Sequence, residues 1–308
     1  VDLSRLRSAF FVGCNALGDT LCTTPVVRAF RAGNPRAQVT YITQSAGYCR
    51  VLDGNPDIDL VLYSERLWMH GLADFSLDWF HALPVTIAEP AALFRLDIQA
   101  VCAKAESFHA HIATGFSRLL GIPIASVRPV IALTADERRQ AGLYTPRPYA
   151  VISTQTNSKP SPDSGLGVKE WPADRWPPLV DHLRDVCGLD VISIGAENDP
   201  LFPSLLAPSP RVRHLHGLPI KVVAALLESA AVVVSLENGI AHLCAAVNAP
   251  AIVLYSNILP RAWADPVDSP RITVLYGDPR ALPFSAVCDA VQQQIHHRPQ
   301  GVYETIVT

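Results

Sequence analysis

Val232-Val233-Val234-Ser235-Leu236-Glu237-Asn238-Gly239-Ile240-Ala241-His242-Leu243-Cys244-Ala245-Ala246 is the stretch that decides how this chain folds. Its apolar opening predicts a buried parallel strand, and the small residues after Asn238 predict a helix running to Val247. A strand, a glycine turn and a helix N-terminus in that order favour an anion. Unpaired backbone N–H groups point out of the helix end, and the macrodipole is positive there. Gly239 lets a ligand approach the backbone closely, while Ala241, Ala245 and Ala246 let the helix lie tight on the sheet. An ordinary βα turn has the same pattern, so function must be sought in what surrounds it.

Outward from this stretch, strands and helices alternate. On its N-terminal side the spacing predicts a strand over 149–154, a long polar loop to Trp171 and a helix over 173–187. A strand over 191–195, a short helix over 199–206, a weak strand over 212–215 and a helix over 219–230 follow. On its C-terminal side come strands over 251–255 and 272–275 and a helix over 284–295. Tyr144-Thr145-Pro146-Arg147-Pro148, polar and proline-rich at mid-chain, has the composition of a linker.

Before it the alternation runs strand 9–13, helix, strand 38–43, short helix 46–53, strand 58–63, the βαβαβ half of a doubly wound sheet. The helix after the first strand carries Leu21, Val26, Val27 and Phe30 at helical spacing, with Asp19 where an N-cap would sit and Pro25 inside the run. Gly33-Asn34-Pro35 closes it. Residues 64–105 hold Trp68, His70, Phe75, Trp79, Phe80, His81 and Phe94 without periodicity. They are expected as loops and short helices able to line an acceptor pocket, although packing is the commoner use of aromatics. A helix over 105–120, a strand over 127–133 and a short helix opened by Asp136-Glu137 complete this half. The expected fold class is α/β: two Rossmann-like domains, 1–145 and 146–295, facing across a cleft. The tail, 296–308, is expected to pack back on the first.

Composition narrows the function. Hydrophobic residues make up 49% of the 308 and charged residues only 17%, which is a globular chain. A net charge of −3 without a Lys/Arg run argues against nucleic acid as partner. The seven cysteines are scattered and never spaced as C-x-x-C, which fits buried thiols in a reducing compartment. Charged Asp2, Arg5 and Arg7 ahead of a short apolar strand do not form a secretory leader, and no apolar run approaches a bilayer's thickness. The expected location is the cytoplasm, with at most peripheral membrane contact. His109-x-His111, His214-x-His216 and His296-His297 lack a third ligand at a recognisable spacing, so no metal site is expected. Gly165-Leu166-Gly167 does not follow a strand, which makes it a poor dinucleotide fingerprint. No G-x-S-x-G occurs either, which leaves a serine hydrolase unsupported.

Several segments together resemble one family. Asn15-Ala16-Leu17-Gly18-Asp19-Thr20-Leu21, followed by Thr23-Thr24-Pro25-Val26-Val27-Arg28-Ala29-Phe30, is similar to the opening motif of the ADP-heptose lipopolysaccharide heptosyltransferases, glycosyltransferase family 9. Gly54-Asn55-Pro56-Asp57-Ile58-Asp59 resembles the next segment. Lys169-Glu170-Trp171-Pro172, Ile194-Gly195-Ala196-Glu197 and Glu237-Asn238-Gly239-Ile240-Ala241-His242-Leu243 resemble three C-terminal motifs in order. The likeness spans most of the chain apart from residues 64–130.

The resemblance implies a GT-B fold and inverting, metal-independent transfer of a heptose or related sugar. The donor is a nucleotide sugar such as ADP-heptose, with no further cofactor, and the acceptor is a hydroxyl on a glycan, glycolipid or small molecule. It makes 1–145 the acceptor side, with Asn15 and Gly18 in its first loop, and 146–295 the donor side. Asp19 falls on the general-base position, and Lys169 on a lysine that faces the phosphates. Thr154 and Thr156 match hydroxyl positions near the phosphates, and Glu197 matches a carboxylate that holds the ribose. Glu237, Asn238, Gly239 and His242 fall on the donor cradle at the helix end. Two positions depart from the pattern. Glu237-Asn238 stands where the family has Asp then Ser or Thr, and the longer carboxylate changes its reach to the donor sugar. Gly13 or Cys14 stands where a basic residue is common. The alternatives on the same frame are a nucleotide-sugar epimerase or phosphorylase, and a non-catalytic nucleotide-sugar-binding protein.

Overall fold

The computed structural model describes residues 2–13, 16–65, 76–77, 85, 87–102, 110–145, 147–156, 167–197, 209–256, 269–296 and 304–306. The chain divides into two compact units, Val1–Ala132 and Leu133–Thr308.

The first unit holds strands β1 (Ser8–Gly13), β2 (Gln38–Thr43), β3 (Leu60–Tyr63) and β4 (Ala91–Leu96) in the order β3-β2-β1-β4, all parallel. Helices α1 (Leu17–Gly33) and α2 (Ala46–Leu52) connect the first three strands; α3 (Ile98–Cys102) and α4 (Ile112–Leu120) follow β4. Strand β4 lies within 64–105, which the sequence reading treats as loops and short helices. Ala-Ala-Leu-Phe-Arg-Leu has no alternation of its own, and its strand character comes from pairing with β1, Ser8 opposite Ala91 through Gly13 opposite Leu96. That pairing stacks Phe94 on Phe11 at 4.8 Å and sets it 5.4 Å from Phe30, so this aromatic is core. Trp68, His70, Phe75, Trp79, Phe80 and His81 lie outside the described residues.

The strand expected over 127–133 does not form. Pro129 has no N–H to give a ladder, and the N–H of Val130 donates to Thr24 Oγ1 on α1 at 2.7 Å. The same threonine explains how α1 continues through Pro25. A proline removes the helical hydrogen bond to the carbonyl four residues back, which is Leu21. Thr24 Oγ1 donates to that carbonyl at 2.6 Å instead.

The second unit begins with α5 (Ala135–Gly142), whose N-terminus is fixed by a reciprocal Thr134–Glu137 capping box. Seven strands follow: β5 (Tyr149–Ser153), β6 (Asp190–Gly195), β7 (Val212–His216), β8 (Val232–Leu236), β9 (Ala251–Ser256), β10 (Ile272–Gly277) and β11 (Glu304–Ile306). They form one parallel sheet in the order β11-β10-β9-β8-β5-β6-β7. The helix expected over 173–187 is broken into a 3₁₀ turn (Ala173–Arg175), an α segment α6 (Trp176–Asp181) and a π turn (His182–Val186). Helices α7 (Ile220–Ser229), α8 (Gly239–Val247) and α9 (Phe284–His296) complete the unit. The helix expected over 199–206 lies outside the described residues.

One continuous core holds this sheet to its helices: Ile152, Val191, Val234, Leu236 and Leu254 from the strands, Trp171, Trp176 and Val291 from the covering segments. Strands buried on both faces explain the unbroken apolar runs of the sequence. Among the described residues no helix is long and apolar enough to cross a membrane.

Candidate functional site

The order of the second sheet creates a switch point. Chain order runs outward through β6 and β7 on one side of β5, and through β8, β9 and β10 on the other. The loops leaving the C-terminal ends of β5 and β8 therefore part from one another, and ligands of open α/β sheets bind in the crevice so formed. Ser153 ends β5 and Leu236 ends β8, with Ser153 paired to Ser235 in the ladder.

Asn238 ties the two loops together. It is the N-cap of α8 in extended conformation (φ −153°), and its Oδ1 accepts from the N–H of Ile240 at 2.9 Å and from Ser235 Oγ at 3.2 Å. Its Nδ2 donates to Ser153 Oγ at 3.1 Å and to the carbonyl of Gln155 at 2.8 Å. The amide is thus committed to the fold, and what it presents is a fixed helix end beginning at Gly239.

Lys169 and Glu237 meet beside it. Lys169 Nζ stands 2.8 Å from each oxygen of the Glu237 carboxylate, with its hydrogen bond directed to Oε1. Glu237 is 4% exposed, the lysine side chain 28%. Burial pushes the Glu237 carboxyl above its usual range, opposed by the Lys169 ammonium. The loop that delivers Lys169 is anchored on both sides. Glu170 Oε2 accepts from the N–H of Gly167 at 3.0 Å, and buried Trp171 donates from Nε1 to the carbonyl of Leu282 at 3.2 Å. Arg175 Nη1 donates to the same carbonyl, and the Trp171 ring meets Trp176 edge-on at 5.1 Å.

Several buried polar atoms at this end of the sheet find no hydrogen-bond partner among the described residues: Thr154 Oγ1, Gln155 Nε2 and Ser256 Oγ. A buried polar group left unpaired is costly, and polar atoms gathered at strand ends are able to bond polar ligand atoms. Ser153, Gln155 and Ser256 are absent from the sequence-derived set. Their signal is faint but present: Ser153 and Ser256 are the polar last residues of apolar strands.

The remaining candidates of the second unit lie toward the same end of its sheet. Glu197 follows β6 and is exposed; Gly217, in the left-handed region at φ +67°, lies against it, and a Cβ there would come 3.3 Å from the glutamate's own. Thr156 is partly buried, and His242 is buried on α8. In the first unit, α1 starts at Leu17 with Ala16 as its N-cap, so Asp19 sits in the first helical turn, partly exposed, and not at the cap. A carboxylate there is favoured by the helix dipole. Gly18 is buried, and Asn15 lies outside the described residues. Among the described residues no three His, Cys, Asp or Glu side chains group so as to hold a metal ion.

Comparison with known proteins bears on the family and the fold. The profile of glycosyltransferase family 9 (heptosyltransferase) matches residues 89–288, more than half of the chain. No curated protein sequence matches. Among solved structures the chain is similar to a glycosyl transferase family 9 protein from Veillonella parvula DSM 2008, at 16% identity and a TM-score of 0.71 over 94% of this chain and 97% of that one. It is similar to ADP-heptose LPS heptosyltransferase II of E. coli, at 14% identity and 0.70 over 94% and 99%. Heptosyltransferase WaaC of E. coli, solved with ADP, follows at 16% identity and 0.66 over 93% and 99%. At such identities the likeness is one of fold, and that fold is GT-B.

Proposed function

The chain belongs to glycosyltransferase family 9, and from that premise we propose that it moves a heptose or related sugar from a nucleotide diphosphate donor to an acceptor hydroxyl, with inversion and without a metal or cofactor. The donor class is that of ADP-heptose, and the acceptor is a glycan, glycolipid or small molecule. The observation that carries this reading is the meeting of Lys169 with buried Glu237 at the switch point, beside the fixed N-terminus of α8. A lysine and a helix N-terminus together favour a diphosphate, first as ligand and then, more strongly, as leaving group gaining charge.

In this mechanism the acceptor oxygen attacks the anomeric carbon from the face opposite the leaving diphosphate. Asp19 accepts the hydroxyl proton as that bond forms; a carboxylate suffices because the proton becomes acidic only as the oxygen bonds. Lys169 and the α8 N-terminus receive the diphosphate's charge. Thr154 and Thr156 donate hydroxyl hydrogens to phosphate oxygens, and Glu197 accepts from the ribose diol. Gly239 allows close approach of the phosphates, and His242 lines the helix-end cradle. Glu237, longer by one methylene than the Asp usual in the family, faces the donor sugar from beside Lys169.

A panel of nucleoside diphosphates tests the donor assignment. One that binds the native chain raises its melting temperature, by mass action. Transfer from the matching nucleotide sugar, followed by product stereochemistry, then tests inversion. If no nucleoside diphosphate shifts the transition, the reading fails.

A further inference from the structure

Lys169 already has a counter-ion. Its ammonium lies 2.8 Å from both oxygens of a carboxylate that is 96% shielded from water. A diphosphate arriving at Lys169 brings further negative charge to the ammonium that compensates Glu237. The ion pair that the structure gives this carboxylate is the one with Lys169. Strands β5 and β9, flanking β8, end in Ser153 and Ser256, and Thr154 follows β5; all three are uncharged. Glu170, next to Lys169, turns its own carboxylate to the N–H of Gly167, and buried His242 lies on α8. A buried carboxylate that loses its cation neutralises by binding a proton.

We propose that Glu237 takes up one proton from solvent when a nucleoside diphosphate engages Lys169, the ligand replacing the carboxylate as the lysine's counter-charge. No bond of the ligand is broken. The proton passes from water or buffer acid to a Glu237 oxygen, and the neutral acid then offers an O–H donor where a carboxylate offered only acceptors. Donor binding is thereby proton-linked. The inference rests on the reading of Lys169 as the cation for the diphosphate.

The test is calorimetric titration of the full chain with ADP and with UDP at pH 7, in two buffers of very different ionisation enthalpy, for the wild type and for Glu237→Gln. The expected result is that the wild type takes up more protons than the variant, by up to one per ligand bound. Equal proton counts overturn the proposal while leaving the glycosyltransferase reading intact. Failure of both nucleotides to bind the wild type overturns both. Should Glu237→Gln not fold, the wild type alone decides. Above the nucleotide's own phosphate titration, over roughly pH 7.5 to 9, its Kd should rise by up to about tenfold per pH unit, and a flat Kd overturns the proposal.

Discussion

Asp19 and Glu237 are both carboxylates beside the N-terminus of a helix that follows a strand, yet their surroundings give them opposite characters. Asp19 is partly exposed in the first turn of α1, where the helix dipole favours its charge. Its replacement by Ala should leave nucleotide affinity near the wild-type value while transfer falls by about 10²–10⁴-fold, the scale of general-base loss. Activity surviving that change, measured as turnover beside a binding titration, would remove Asp19 from the mechanism. Glu237 is buried, and desolvation outweighs Lys169 to raise its folded-state pKa above the unfolded one. The native state therefore binds a proton more tightly than the unfolded chain. Stability is fullest below the unfolded value and declines as pH rises through the folded one. Glu237→Gln removes that decline, so its melting temperature should exceed that of the wild type at pH 7 and match it near pH 4. These residues were legible as chemistry-bearing types in motif order. Their pairing was not, because Lys169 and Glu237 are brought together by loop anchors at Trp171 and Arg175 that leave no periodic trace.

Single side chains decide where elements begin, continue and touch. The alternation that predicts β1, β2, β3 and the strands of the second sheet is a burial pattern, and it is legible because parallel strands are apolar on both faces. Strand β4 was hidden because its identity depends on β1 accepting it as a neighbour. The stretch around Val130 misled because its apolar residues are consumed against α1 through Thr24 and not by a ladder. The contact between α3 and α4 offers a test of how closely such elements fit. A Cβ at Gly115 on α4 would collide with Val101 Cγ1 on α3. Alanine at 115 should gain helix propensity yet lower stability by about 1–3 kcal/mol through overpacking. Adding Val101→Ala should return much of that loss, and urea unfolding of the single and double variants measures the coupling.

Each of the two units has its own parallel sheet, and all the proposed donor-side residues lie in the second. Helix α5 belongs to that unit although it precedes the proline-rich stretch at 144–148. Arg138 makes a two-pronged contact with Glu228 of α7 at 2.7 and 2.9 Å, and Lys221 of α7, 8% exposed, pairs with Glu137 at 3.0 Å. The proline-rich composition reads as a linker because it lacks helix and strand character, whereas the attachment of α5 to α7 runs through charged side chains far apart in sequence. A fragment 133–308 should therefore unfold cooperatively and bind the nucleoside diphosphate recognised by the whole chain with similar Kd, while transferring nothing for want of Asp19. A fragment 147–308 lacks α5, exposes the face of α7 that it covers, and leaves Lys221 without its carboxylate. Its urea midpoint should be lower, by about 2 kcal/mol or more in unfolding free energy, since the Lys221 pair is shielded from water while the Arg138 pair is half-exposed and contributes less. Equal stability of the two fragments would show that α5 is dispensable to the second unit, and would move the folding boundary to the proline-rich stretch.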